Sequence, residues 1–121
     1  MNKSIAAVII ILSCFVGTPG FCTEGVTVGL YQKTINSKNN DDVLLMKNYV
    51  RGVLDGINWS NTLLLYEKQQ PIFCPPENLG LNTNNALQIL NDEIKSKNSK
   101  STELVSMLLL FALQRTFPCD K

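Results

Sequence analysis

Histidine is absent from this 121-residue chain. Its absence removes the Ser–His and Cys–His nucleophile pairs and the commonest protein metal ligand. Acidic neighbours are scarce, with Asp41-Asp42 and Asp92-Glu93 the only adjacent pairs. Both fall where a helix end or a solvated helix face would put them, so a carboxylate-only hydrolase has little to work with. Neither sign of charge is in excess, with 11 Lys+Arg against 10 Asp+Glu. No basic face of the kind that binds nucleic-acid phosphates stands out. The four cysteines contain no CxxC pair, so neither a redox motif nor a zinc ribbon is indicated. Strand-period alternation and internal repeats are missing as well. These gaps point away from an enzyme, a cofactor or metal protein, a nucleic-acid binder or a small-molecule site. They leave a small all-α domain, a bundle of about four helices.

What is present begins with a leader. MNKSIAAVIIILSCFVG has a positive start at Lys3 and an apolar run from Ile5 to Val16, followed by Gly17, Thr18, Pro19 and Gly20. The run is short for a bilayer-spanning helix, and its layout is that of a secretory signal peptide. Residues 1–22 are read as the signal and 23–121 as the helical domain. Small residues at Thr18 and Gly20 would place the cut before Phe21, and Gly20 and Cys22 would place it before Thr23. Loss of residues 1–22 removes Lys3 and no acid, leaving 10 basic against 10 acidic side chains and no net charge. Export to an oxidising compartment permits disulfides. An alternative reads Ile11-Leu12-Ser13-Cys14 as a lipobox, making Cys14 a lipidated N-terminus. A retained anchor is a further alternative.

Four segments carry helix patterning. Gly25 to Ile35 reads as a first helix through Leu30 and Tyr31, or as an extended arm. After the polar INSKNNDD loop, Asp41 or Asp42 can cap a long helix from about Val43 to Lys68. Its apolar side is Met46, Tyr49, Val50, Val53, Leu54 and Ile57, continued by Leu63, Leu64 and Leu65. Pro71 stops it, and PIFCPPENLGLN forms a proline-rich connection. A third helix should span Thr83 to Lys97, capped by Asn82 or Thr83. Ala86, Leu87, Leu90 and Ile94 would be buried there, with Asp92, Glu93 and Lys95 more exposed. The last helix, Thr102 to Thr116, would be capped by Ser101 and carry Glu103 in its first turn. Its middle is apolar on nearly every side, which suits the central helix of the core.

Two further features call for explanation. Cys74 and Cys119 each sit in a proline-flanked turn just outside a helix and form the obvious bridge. Closing a loop of about 45 residues should stabilise the fold by roughly 4 kcal/mol in the chain-entropy model. In addition, YVRGVLDGINWSN places Gly52, Gly56 and Ser60 along one helix face, flanked by Tyr49. Each interior glycine costs about 1 kcal/mol relative to alanine. A smooth stripe would let another helix approach closely, either the last helix of this chain or a helix of a second chain.

YVRGVLDGINW, FCPPENLGL, ALQILNDEI and ALQRTFPC occur in this order. The set resembles the Rap/Tai family of immunity proteins, which protect bacteria against peptidoglycan amidases delivered by type VI secretion. The matching residues are Tyr49, Gly52, Asp55, Gly56, Phe73, Cys74, Pro75, Pro76, Phe117, Pro118 and Cys119, across about Val43 to Cys119. Many relatives carry a further cysteine just before the tyrosine helix, where this chain reads LLMKNY, so Cys22 is without that partner. The resemblance implies a periplasmic, all-helical and commonly homodimeric protein. Its mode of action would be occlusion, a loop entering the amidase cleft and blocking the catalytic cysteine and histidine there. The candidate inserting loop is Lys95, Ser96, Lys97, Asn98, Ser99, Lys100, Ser101 and Thr102; the plain alternative is a solvated connector. The competing class is a small periplasmic chaperone of the acid-stress kind, and a third is an outer-membrane lipoprotein module attached through Cys14.

Overall fold

The computed structural model describes residues 25–120, so the leader, its cleavage sites, Cys14 and Cys22 lie outside the described residues. Four helices follow one another: α1 (Val28–Ile35), α2 (Asn40–Tyr66), α3 (Thr83–Ser96) and α4 (Val105–Thr116). Among the described residues there is no β-strand, only an isolated antiparallel bridge between Thr27 and Leu104. α3 packs most extensively on α4, and α2 lies across α3 and α1.

Local chemistry sets each helix start. The Thr27 hydroxyl accepts from the Leu30 N–H at 3.3 Å and opens α1. Asn39 accepts from the Asp41 N–H at 3.0 Å and opens α2. The expected caps Asp41 and Asp42 therefore lie inside the first turn, where the helix dipole favours their charge. Asn82 and Asn85 form a reciprocal capping box at α3, in keeping with the sequence. α4 departs from expectation. It begins at Val105, with Leu104 at the cap position and no side-chain cap. Ser101 is not the cap because residues 101–105 are drawn into backbone pairing with residues 26–29 instead.

The ends of α2 and α3 share one solution. Lys68 and Asn98 adopt left-handed backbone, at φ 57° and 50°. In each case the next residue's N–H reaches back to the helix, Gln69 to Leu64 O at 2.8 Å and Ser99 to Ile94 O at 3.1 Å. These are Schellman closures, which satisfy carbonyls that a helix end otherwise leaves free.

Val28, Tyr31, Met46, Val50, Leu54, Phe73, Ala86, Leu90, Ile94, Val105, Leu108, Leu109 and Leu113 make one core. Tyr31 sits wholly inside and its hydroxyl donates to Asn91 Oδ1 at 3.0 Å. Burial pushes its phenol above the usual 10.0, with the Asn91 hydrogen bond pulling the other way. Phe73 comes from the proline-rich connection, not from a helix, and Asn61 holds it there. The Asn61 amide is buried, accepts from Ile72 N–H at 2.6 Å and Phe73 N–H at 3.2 Å, and donates to Phe73 O at 2.9 Å. The connection is thereby hydrogen-bonded as if it paired with a strand.

Cys74 and Cys119 are joined, with Cα atoms 4.9 Å apart. The Cys74 N–H also donates to Phe117 O at 2.9 Å, so the ends of the connection and of α4 are tied twice.

Three burial expectations are corrected. Leu63 and Leu65 are exposed and Leu64 is half-buried, because Asn61 is the last fully buried position of α2. Glu93 is buried, because it lies on the face of α3 that meets α4 and pairs there with Arg115. α4 is not enclosed on all sides, because among the described residues no helix covers Met107 and Phe111.

Candidate partner-binding surface

The eight-residue segment singled out in the sequence is less a free loop than a closed clasp. Lys95 and Ser96 form the last turn of α3, and Lys97 is its C-cap. Asn98 turns the chain, and Ser99, Lys100, Ser101 and Thr102 carry it back toward the N-terminal segment. There the Gly29 N–H donates to Ser101 O at 2.9 Å, the Val28 N–H to Glu103 O at 2.8 Å and the Val105 N–H to Val26 O at 2.9 Å. A Cβ on Gly29 would lie 3.2 Å from the Ser101 Cβ and 3.3 Å from its carbonyl oxygen. A side chain at position 29 would need the segment to give way by a few tenths of an ångström. Lys95, Lys97, Asn98, Lys100, Ser101 and Thr102 nevertheless keep their side chains in solvent.

Beside this segment lies an open groove of about 710 Å³. Lys97, Ser99 and Thr102 form one rim, and Leu104, Met107, Leu108 and Phe111 of α4 form the apolar lining. Met107 and Phe111 are 52% and 42% exposed. The Glu93–Arg115 pair also lines the groove, Arg115 Nε donating to Glu93 Oε2 at 3.1 Å and its Nη2 to Glu93 Oε1. Bidentate pairing fixes the guanidinium plane. The Ser99 hydroxyl oxygen is buried at this rim without a hydrogen-bond partner. Sequence reading missed the groove. Its signal was the four-residue repeat Met107, Phe111, Arg115, which sets one stripe of α4 apart from the core stripe.

The glycine stripe is also placed. Gly52 and Gly56 face outward, and a Cβ built on either would meet nothing within 4 Å. The expectation that they admit α4 is therefore overturned; among the described residues no neighbouring helix covers them. Tyr49 is half-buried. Ser60 is exposed beside the stripe, its hydroxyl donating to Gly56 O at 2.9 Å. The loop and the stripe lie on different elements, and no contact joins them.

Among the described residues no three His, Cys, Asp or Glu side chains gather as a metal site. No described helix is long and apolar enough to cross a membrane. Compared with known proteins, the chain matches no family model, no curated protein and no solved structure.

Proposed function

We propose that this protein is a periplasmic immunity protein that binds a type VI secretion peptidoglycan amidase and occludes its active site. The clasp at residues 95–102 is the segment that enters the cleft. The observation that carries the reading is the strapping of this segment to residues 26–29 beside an open apolar groove. A blocking segment works best when its backbone is ordered before contact, because little conformational entropy is then lost on binding. Met107 and Phe111 would supply apolar contact beside the insertion, and Lys97 and Lys100 would favour an acidic cleft rim. Occlusion asks no chemistry of the inhibitor, which agrees with a chain that has no histidine. The resemblance of YVRGVLDGINW, FCPPENLGL and ALQRTFPC to the Rap/Tai family favours the same reading.

The test is capture. The tagged protein, expressed in the periplasm of a host that carries type VI amidases, should bring down an amidase in equal amount and block its hydrolysis of peptidoglycan. Recovery of the protein without any amidase, together with full activity of a panel of such enzymes in its presence, would remove the proposal.

A second reading is kept for one observation. Trp59, Leu63, Leu65 and Tyr66 expose a large apolar surface on α2. An acid-stress chaperone would use such a surface to hold clients. Suppression of client aggregation at pH 2 to 3, with no amidase partner, would favour it.

A further inference from the structure

The groove on α4 opens where the described chain begins. Thr27 lines it together with Leu104, Met107, Leu108 and Phe111. Thr27 and Leu104 form the antiparallel bridge, and the Val105 N–H donates to Val26 O. Antiparallel pairing sets a direction. Followed backward from Thr27, the chain passes Leu104 in the sense that leads on to Met107 and Phe111. Extended backbone also sets a side, because alternate residues share a face. Thr27 is extended and borders the groove, whereas Val26 packs on the core. Gly25 returns to the groove side, where a Cβ would lie 2.9 Å from Leu104 Cδ2. Position 21 has the same parity as 25 and 27. Between Val16 and Val26 only Phe21 is both large and apolar.

We propose that Phe21, which lies outside the described residues, seats in this groove against Met107 and Phe111. The reach is sufficient. Four residues from Gly25 back to Phe21 span up to about 13 Å. The seven residues from Leu104 to Phe111 cover about 10 Å along α4. Met107 and Phe111 offer apolar surface that a phenylalanine ring removes from water, and aromatic pairing with Phe111 adds to this. A four-residue tether keeps the ring beside the groove at high effective concentration.

The two candidate cuts then differ in effect. A cut before Phe21 keeps the ring and fills the groove, and a cut before Thr23 removes it. One consequence rests on the amidase reading: a partner that used Met107 and Phe111 would first displace Phe21. The seating itself does not rest on that reading, and its test contains no amidase.

The sample is the protein recovered from the periplasm, with its first residue read by mass spectrometry. Methionine carrying a ¹³C methyl reports the groove. Beyond Met1 the chain has only Met46, which is buried in the core, and Met107. The Met107 methyl should show cross-relaxation to the Phe21 ring and a ring-current shift. Phe21→Ala should abolish both and leave the Met46 signal in place. With half or more of the molecules seated, peroxide should oxidise Met107 about twofold faster, or more, in Phe21→Ala. Identical Met107 signals and oxidation rates in the two proteins overturn the proposal. So does a recovered chain that begins at Thr23. Contacts to Met107 from a retained Ile5–Val16 run, or from a second copy in a mixed-labelled sample, would name another occupant and overturn it as well.

Discussion

Replacing Asn61 with alanine should destabilise this fold severely. The side chain is 7% exposed and makes three hydrogen bonds to the backbone of Ile72 and Phe73. Alanine leaves two N–H groups and one carbonyl without partners. Each buried polar group left unpaired costs about 1–3 kcal/mol. The Ile72 N–H is only partly buried, so water can reach it and its share is small. The two Phe73 groups are buried, and Phe73 itself is a core side chain at 1% exposure. The expected loss is therefore about 3–5 kcal/mol, against a total of about 5–15 kcal/mol for a domain of this size. At roughly 4–8 °C per kcal/mol for a domain of 60–100 residues, the melting temperature should fall by about 12–40 °C. Urea and thermal unfolding, followed by far-UV circular dichroism, measure this directly. Thr62→Ala, one residue on and exposed, is the control and should change stability by less than about 0.5 kcal/mol. A loss below about 1 kcal/mol for Asn61→Ala would refute the reasoning, because the connection would then hold its shape without the amide.

The replacement of both Cys74 and Cys119 by serine should cost about 4 kcal/mol by the chain-entropy relation, read from the midpoint of urea unfolding; an unchanged midpoint would contradict the tie. Lys68→Gly should stabilise by up to about 1 kcal/mol, because glycine takes left-handed backbone without cost, whereas Asn98→Ala should destabilise by a similar amount. Loop variants meant to probe binding alone should accordingly use Lys100→Ala and Asn98→Gly. Tyr31 should make the fold sensitive to alkali. Its folded pKa is raised, so its contribution is full below the unfolded value of 10.0 and is lost as pH rises through the folded pKa. Tyr31→Phe should flatten that decline between unfolding curves taken at pH 9 and pH 11.

Helix content and order were readable because local signals agreed with packing. Met46, Val50 and Leu54 recur at helical spacing and are buried, and Asn82 both reads as a cap and forms one. The cysteine pair could be read from two proline-flanked turns and is joined. What failed to show in the sequence depended on contacts between distant segments. Ser101 has the residue type and the position of a cap, but residues 26–29 claim that backbone first. Glu93 looks like a solvated charge until Arg115, 22 residues on, comes across from α4. Leu63 and Leu65 extend an apolar run that the fold turns outward, and no described residue buries them. For the candidate site, the sequence located the segment 95–102 but not the strap that orders it, since nothing in GVTVG signals pairing with STELV. The groove on α4 was hidden within a run that is apolar throughout.

Immunity requires a partner, so the decisive measurement is titration of a type VI amidase with this protein while peptidoglycan cleavage is followed. Complete inhibition is expected at one binding site per amidase, with Lys100→Ala and Asn98→Gly each weakening it at least tenfold and leaving the melting temperature within a few degrees. Inhibition that is equally tight in these variants would detach the 95–102 segment from the mechanism. No inhibition of any amidase tested would contradict the function itself.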